Sequence, residues 1–497
     1  MEILDTTIVN VALPHIAGSL SSSPDDATWT LTSYLVANGI VLPVSGWFAR
    51  VLGRKRYFLI CIACFTIFSF LCGIAGALWQ LILFRLAQGF FGGGLQPNQQ
   101  SIILDTFPPE KRGTAFAVTA VATIVAPVLG PTLGGLITDN YSWRWIFFLN
   151  IPVGAITFFG VTSLVEDPPW QRRQANALAQ ADYVGLSLIA IGFGCLQVFM
   201  DRGEDDDWFG SPFIVTMAIV AAFALSSAVV WLWYARRPVV NIHLFLDRNF
   251  AVGCLTIFAM AAVLYSSAVV IPQLAQEVLG YTATLAGLLL SPGALLVCLL
   301  IPLTSRLMPL VQTRFIIAFG FFSLGMALVY SHRLTPDVDF VTLTMMRGAQ
   351  TFGLAFLFVP ISTIAYSTLP KEVNADAAAL FTMFRNLAGS LGISAAIALV
   401  AQRTQVRVAH MIDYLNPFDP AYNALVGRNA QHLLSQGFAS GSVHQRAVGL
   451  VYQTLRSQAS LLAYMDVFGV CAILAFAVVP FTLLFSRTRA GGAAPAH

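Results

Sequence analysis

Apolar runs of about 17 to 25 residues, the length that crosses a hydrocarbon core, recur from one end of this chain to the other. Runs of that length, separated by short loops carrying Gly, Pro, Asp or Arg, read as membrane-spanning helices. Fourteen segments follow, at 1–20, 29–48, 57–76, 79–104, 114–138, 145–165, 183–200, 213–234, 250–272, 282–303, 314–330, 340–366, 376–400 and 461–486. Charged residues make up only 10% of the 497, against roughly a quarter in an ordinary soluble domain, so no water-facing shell can be built. The chain is read as an all-α polytopic membrane protein, and nucleic acid is not an expected partner. No basic stretch precedes the first run, so a cleavable signal peptide is not expected.

An even number of spans puts both termini on one side. Most of the 27 Lys and Arg fall in the C-terminal tail or in loops on the side that carries Arg50, Arg54, Lys55 and Arg56, with Arg144, Arg202 and Arg333 on the other. By the positive-inside rule the first side is cytoplasmic, with both termini, and the stretch 401–460 lies outside.

The sequence also repeats itself. An offset of 262 residues aligns Arg85 with Arg347, Gln88 with Gln350, Pro108 with Pro370, Ala126 with Ala388 and Gly130 with Gly392. Six spans match six, which divides the chain into 1–168, an insertion of two spans at 169–240, and 241–497. Two such halves describe a transporter whose substrate site lies between them near mid-membrane. Pro14 aligned with Pro272 sets Asp5 opposite Val263, and segment 9 begins about nine residues earlier than segment 1 does. A tail and half a helix are therefore expected to precede Met1 in the natural protein.

Three stretches carry small or charged residues where lipid-facing helices do not need them. GWFARVLGRKRYF (Gly46 to Phe58) sets Gly46 for a close helix approach and Gly53 for a sharp turn, beside Arg54 and its basic neighbours. FRLAQGFFGGG (Phe84 to Gly94) puts Arg85 inside a span, a functional site by default. APVLGPTLGG (Ala126 to Gly135) combines Gly130 and Pro131 with other small residues, a pattern for bending and close packing. A CxxC at Cys61 and Cys64 sits within an apolar run with no second pair, so all seven cysteines read as small core residues. The acidic loop DRGEDDDWFG (Asp201 to Gly210) reads as a solvated turn, the histidines show no metal spacing, and no nucleophile–base arrangement suggests an enzyme.

These three stretches resemble motifs A, B and C of the major facilitator superfamily. Motif C is characteristic of its drug:proton antiporters. LDTTIVNVALP, WRWIFFLNIP (Trp143 to Pro152) and the two inserted helices resemble the fourteen-helix class, and MDRGEDDDWFGS, GYTATLAGL and the long outer loop resemble its EmrB-type inner-membrane efflux pumps, essentially end to end. The chain departs from motif A at Arg50, where that family carries an aspartate, so the family's acid-to-base latch is not carried over.

Of the acids, Asp5 and Asp466 are counted within spans. A buried carboxylate in an apolar setting disfavours its charged form, the property a proton carrier needs. The resemblance pairs the helix-1 aspartate with the motif B arginine, which implies Asp5 as proton acceptor and Arg85 as the cation that tunes it. Asn10, Tyr34, Asn38, Gln96, Tyr265, Arg385 and Asn386 are the polar or aromatic residues expected to line the cavity, and a surplus of Arg over acid there favours neutral lipophiles or weak acids. The expectation is a proton-driven exporter of lipophilic drugs in the bacterial inner membrane. It needs no cofactor beyond the proton and no metal. By resemblance a periplasmic adaptor and an outer-membrane channel complete it. A nutrient symporter and a non-transporting scaffold are the competing classes. Symport does not predict APVLGPTLGG, and a scaffold predicts none of the three stretches.

Overall fold

The computed structural model describes residues 1–166, 182–236, 238–333, 338–416, 418–436, 438 and 440–486. The helices run in order α1 (Glu2–Ser19), α2 (Pro24–Leu52), α3 (Arg54–Ile74), α4 (Leu78–Gly92), α5 (Leu95–Thr106), α6 (Pro109–Asn140), α7 (Trp145–Phe148), α8 (Asn150–Leu164), α9 (Tyr183–Arg202), α10 (Pro212–Tyr234), α11 (Arg248–Gln273), α12 (Ala283–Leu307), α13 (Thr313–Ser331), α14 (Phe340–Ala355), α15 (Phe358–Ala365), α16 (Asn374–Met411), α17 (Pro420–Ser435) and α18 (Ser440–Thr482). No strand occurs among the described residues. Among the described residues, eleven helical stretches are long and apolar enough to cross a membrane. The other three expected segments are helical too: α1, the pair α4 and α5, and α6.

Local chemistry sets the boundaries. Ser23 opens α2 by accepting a hydrogen bond from the Asp26 amide at 3.0 Å, and Asp247 opens α11 by accepting from the Phe250 amide at 2.8 Å, the standard way to satisfy orphan donors at a helix start. Asp339 caps α14 through the Thr342 amide, and the hydrogen bonds of Thr342 hold its exposed carboxyl below the usual range. Gly53, at φ +90°, makes the turn from α2 into α3, a backbone position that a side chain resists.

The repeat is visible in packing. α1 lies on α6, and α11 lies on α16. Gly130 on α6 meets Thr7 of α1, and its counterpart Gly392 on α16 comes so close that an added Cβ would sit 2.7 Å from the Ala262 carbonyl of α11. The broken pair α4–α5 likewise has its counterpart in α14–α15. Between the repeats α2 packs on α16 and α6 on α12, while α9 and α10 pair with each other and α9 leans on α2. The side chain of Pro131 lies outside the described residues, though its backbone is helical.

The stretch 401–460, read from sequence as a loop, is mostly helix. α16 and α18 both run on past the spans expected for them, and α17 lies against α18. Val426 and Leu433 bury against Val443, Ala447 and Val451. Asp466 accepts both its hydrogen bonds from Arg407 on α16, at 2.9 and 2.7 Å.

Candidate functional site: a buried acid–arginine network

Asp5 and Arg85 are brought together, both buried. Arg85 Nη1 donates to Asp5 Oδ2 at 2.5 Å, and Asp5 Oδ1 accepts from Asn150 Nδ2 at 2.7 Å and Gln88 Nε2 at 3.2 Å. Three helices, α1, α4 and α8, supply these groups. Arg85 also donates to Gln88 Oε1 at 2.8 Å and, through Nε, to the Thr30 carbonyl at 3.2 Å, while its guanidinium stacks 4.2 Å from the centre of the Tyr34 ring. A buried ion pair is tolerable only when its remaining hydrogen-bonding capacity is met, and these donors meet that of the carboxylate.

Gln88 and Asn150 were missed as site residues. Both stood in stretches already singled out: Gln88 recurs as Gln350 in the repeat, and Asn150 is the polar residue in WRWIFFLNIP.

The second copy keeps the geometry without the acid. Arg347 Nη1 donates to Gln350 Oε1 at 3.3 Å, as Arg85 does to Gln88, and to Ser267 Oγ at 2.8 Å. Gln350 in turn donates to Ser331 Oγ at 2.9 Å, where Gln88 meets Cys72. Ser267 stands where Asp5 stands, at the same offset of 262. This corrects the register read from the prolines, which set Asp5 opposite Val263.

Glu2 corrects the count of acids. It is buried in α1, and its Oε1 accepts from Asn38 Nδ2 at 2.8 Å. Gln96 lies beside it, and the Arg385 and Tyr265 side chains are within electrostatic reach. Tyr34, Asn38 and Arg385 are buried; Gln96, Tyr265 and Asn386 are half-buried. Of the seven residues expected to line the cavity, Tyr34, Asn38, Gln96, Tyr265 and Arg385 stand around Glu2 or the Arg85 network, and Asn386 accepts from Arg385. Asn10 is exposed on α1 and makes no side-chain bond among the described residues.

Arg50 and Arg54 do form ion pairs, with partners of opposite origin. Arg54 pairs with Asp105 at the end of α5, both buried, and Arg50 pairs across to Asp376 at the head of α16. Gly46 lets α2 reach α16: an added Cβ would sit 2.8 Å from the Asp376 Cα. Nearby Asn374 donates to Asp105 at 2.9 Å, and Tyr366 donates to Gln100 at 2.9 Å.

The sequence pattern of the Major Facilitator Superfamily matches residues 1–393. Over 474 residues the chain is 38% identical to the multidrug export protein EmrB of Escherichia coli strain K12, covering 95% of this chain and 90% of that one. It is 37% identical over 483 residues to EmrB of Haemophilus influenzae, covering 97% and 94%, and 35% identical over 484 residues to the fatty acid resistance protein FarB of Neisseria gonorrhoeae, covering 97% and 93%. The fold is also that of the human organic anion transporter MFSD10, with a TM-score of 0.57 at 13% identity over 95% of this chain and 96% of that one.

Proposed function

This chain belongs to the Major Facilitator Superfamily, and from that premise we propose that it exports lipophilic drugs by exchanging them for protons. Its relatives named for multidrug export support the direction of transport and the substrate class. The single observation that carries the mechanism is the buried Asp5–Arg85 pair, present in one repeat and replaced by Ser267–Arg347 in the other. The proton enters at Asp5, which releases Arg85 and loosens α1 from α4. Drug lies between residues 1–168 and 241–497, against Tyr34, Asn38, Gln96, Tyr265, Arg385 and Asn386. Loss of the proton to the cytoplasm remakes the pair and resets the cycle.

The energy suffices. One proton driven by about 150 mV releases roughly 3.5 kcal/mol, enough for a gradient of about 300-fold in a neutral compound. No cofactor besides the proton enters the scheme. It places the protein in the inner membrane, with both termini cytoplasmic, and gives it no enzymatic step. The helical extension over 401–460 lies outside and docks a periplasmic adaptor that leads to an outer-membrane channel.

Purified protein in liposomes with an imposed pH gradient tests this. Drug flux opposed to proton flux is expected; co-directional flux makes it a symporter, and no flux makes it a scaffold.

A further inference from the structure

Asp466, counted among the span acids, takes no part in the coupling scheme. It stands at the head of an open groove of about 450 Å³ lined by α13, α16, α18 and the residue that follows α13. His332, Arg403, Arg407 and Asp466 are the polar side chains of this groove. The rest of its lining is apolar or glycine, with Val470, Ile473 and Phe476 among it. His332 follows the last residue of α13, and Arg403 and Arg407 lie just past the span expected at 376–400. Ile473 is about 10 Å further along α18 than Asp466, at 1.5 Å per residue. The charges therefore sit at the edge of the apolar layer, and the apolar wall runs inward from them, with Val470 and Ile473 exposed on the face that meets lipid.

The charges at the head do not cancel. Arg407 gives one nitrogen, Nη2, to both oxygens of Asp466, at 2.9 and 2.7 Å, and its Nε is buried with no hydrogen-bond partner. Arg403, about one turn earlier on α16, is exposed and adds a second cation. His332 Nδ1 donates to the Met465 carbonyl at 2.7 Å, which fixes the ring against α18 and brings no anion. One acid thus faces two arginines. Guanidinium groups match phosphate oxygens in geometry as well as charge, and the wall below them matches an acyl chain.

We propose that this groove holds a membrane lipid whose head carries a single uncompensated phosphate charge. The phosphate sits between Arg403 and Arg407, and one acyl chain lies along Val470, Ile473 and Phe476. A lipid with an ammonium beside its phosphate would bring a cation to two arginines whose acid is already engaged. The site uses no residue of the Asp5–Arg85 network, and it does not depend on what the protein carries or on coupling to protons.

Native mass spectrometry of the full chain, released from detergent micelles, measures the affinity of single lipids. Dioleoylphosphatidylglycerol is expected to bind more tightly than dioleoylphosphatidylcholine or dioleoylphosphatidylethanolamine by about fivefold, the worth of one surface cation. Arg403→Gln should erase the ratio of glycerol to choline lipid, and Arg403→Lys should keep most of it. Asp466→Asn should raise it by about fivefold again, a change of sign that loss of fold does not imitate. Arg428→Gln removes an exposed charge on α17, which does not line the groove, and should leave the ratio unchanged. The assignment is overturned by a wild-type preference for neither lipid or for a zwitterionic one, by an unchanged ratio in Arg403→Gln, by a ratio in Asp466→Asn that does not rise, or by an equal loss in Arg428→Gln. Oleate bound as tightly as the glycerol lipid overturns it too, since the ligand is then a free carboxylate.

Discussion

Arg50 of α2 and Asp376 of α16 form an ion pair that joins residues 1–168 to residues 241–497 at the end of the molecule bearing the Gly46–Arg54 turn. The acid of this pair sits on α16 and the base on α2, so the position occupied by an aspartate in the resembling family is filled by its opposite and answered by a matching acid. The Arg50 side chain is 36% exposed, which limits the pair to on the order of 1 kcal/mol. Arg50→Asp or Asp376→Arg alone should reduce drug export several-fold, to about a tenth at most. The double reversal should restore it, as measured by drug efflux from energised vesicles. A double variant as poor as either single one would show that the pair does not hold the two helices together.

Asp5→Asn should abolish proton-coupled exchange while leaving drug-for-drug counterflow across liposomes without a gradient. Asparagine keeps one acceptor oxygen, for Arg85 or for Gln88 and Asn150 but not for both sides, and cannot carry the proton. Exchange of protons for drug at the wild-type rate would remove Asp5 from the coupling step.

Arg85 and Arg347 should behave differently although they are equivalent by repeat. Arg85→Gln leaves a buried carboxylate uncompensated, a loss of about 3–5 kcal/mol if the fold cannot adjust. It should therefore lower the melting temperature and abolish proton release on drug binding. Arg347→Gln removes a cation bonded to Ser267 and Gln350, and should leave the ratio of protons to drug unchanged. A pH-indicator measurement of protons released per drug bound distinguishes them, and equal effects on that ratio would contradict the asymmetry.

Gly46→Ala should lose most export, because the new methyl meets backbone of Asp376 that has nowhere to go, an overpacking of about 1–3 kcal/mol placed between α2 and α16. Gly160→Ala on α8 meets nothing within 4 Å and should leave export unchanged, with stability the same or up to about 1 kcal/mol higher. Melting curves and efflux rates of the two variants, read side by side, check this.

Much of the architecture can be read from apolar length and the 262-residue repeat, because both come directly from the thickness of the bilayer and the duplication of one helical plan. The Asp5–Arg85 pair was legible for the same reason: few charges enter the spans, and those two stand out. Glu2 was not, since one residue from the start of the sequence it looked like a helix-end acid. Its spacing of three from Asp5, which puts both on one face of a helix, was the signal that would have found it. The Arg50–Asp376 pair stayed hidden because charges on distant segments name no partner. Over 401–460 the number of polar residues masked a helical pattern: Val443, Ala447 and Val451 recur every four residues, facing Val426 and Leu433.

α18 is a continuous helix of 43 residues, some 65 Å long at 1.5 Å per residue, and it serves both as a membrane span and as one wall of the small outer cluster with α17. Such a rod has no joint at the membrane surface to absorb movement. A tilt of about ten degrees around its midpoint swings the far tip by roughly 5 Å. The cluster is thus fixed to the span that carries it, and any tilt of that span would move the cluster as one lever.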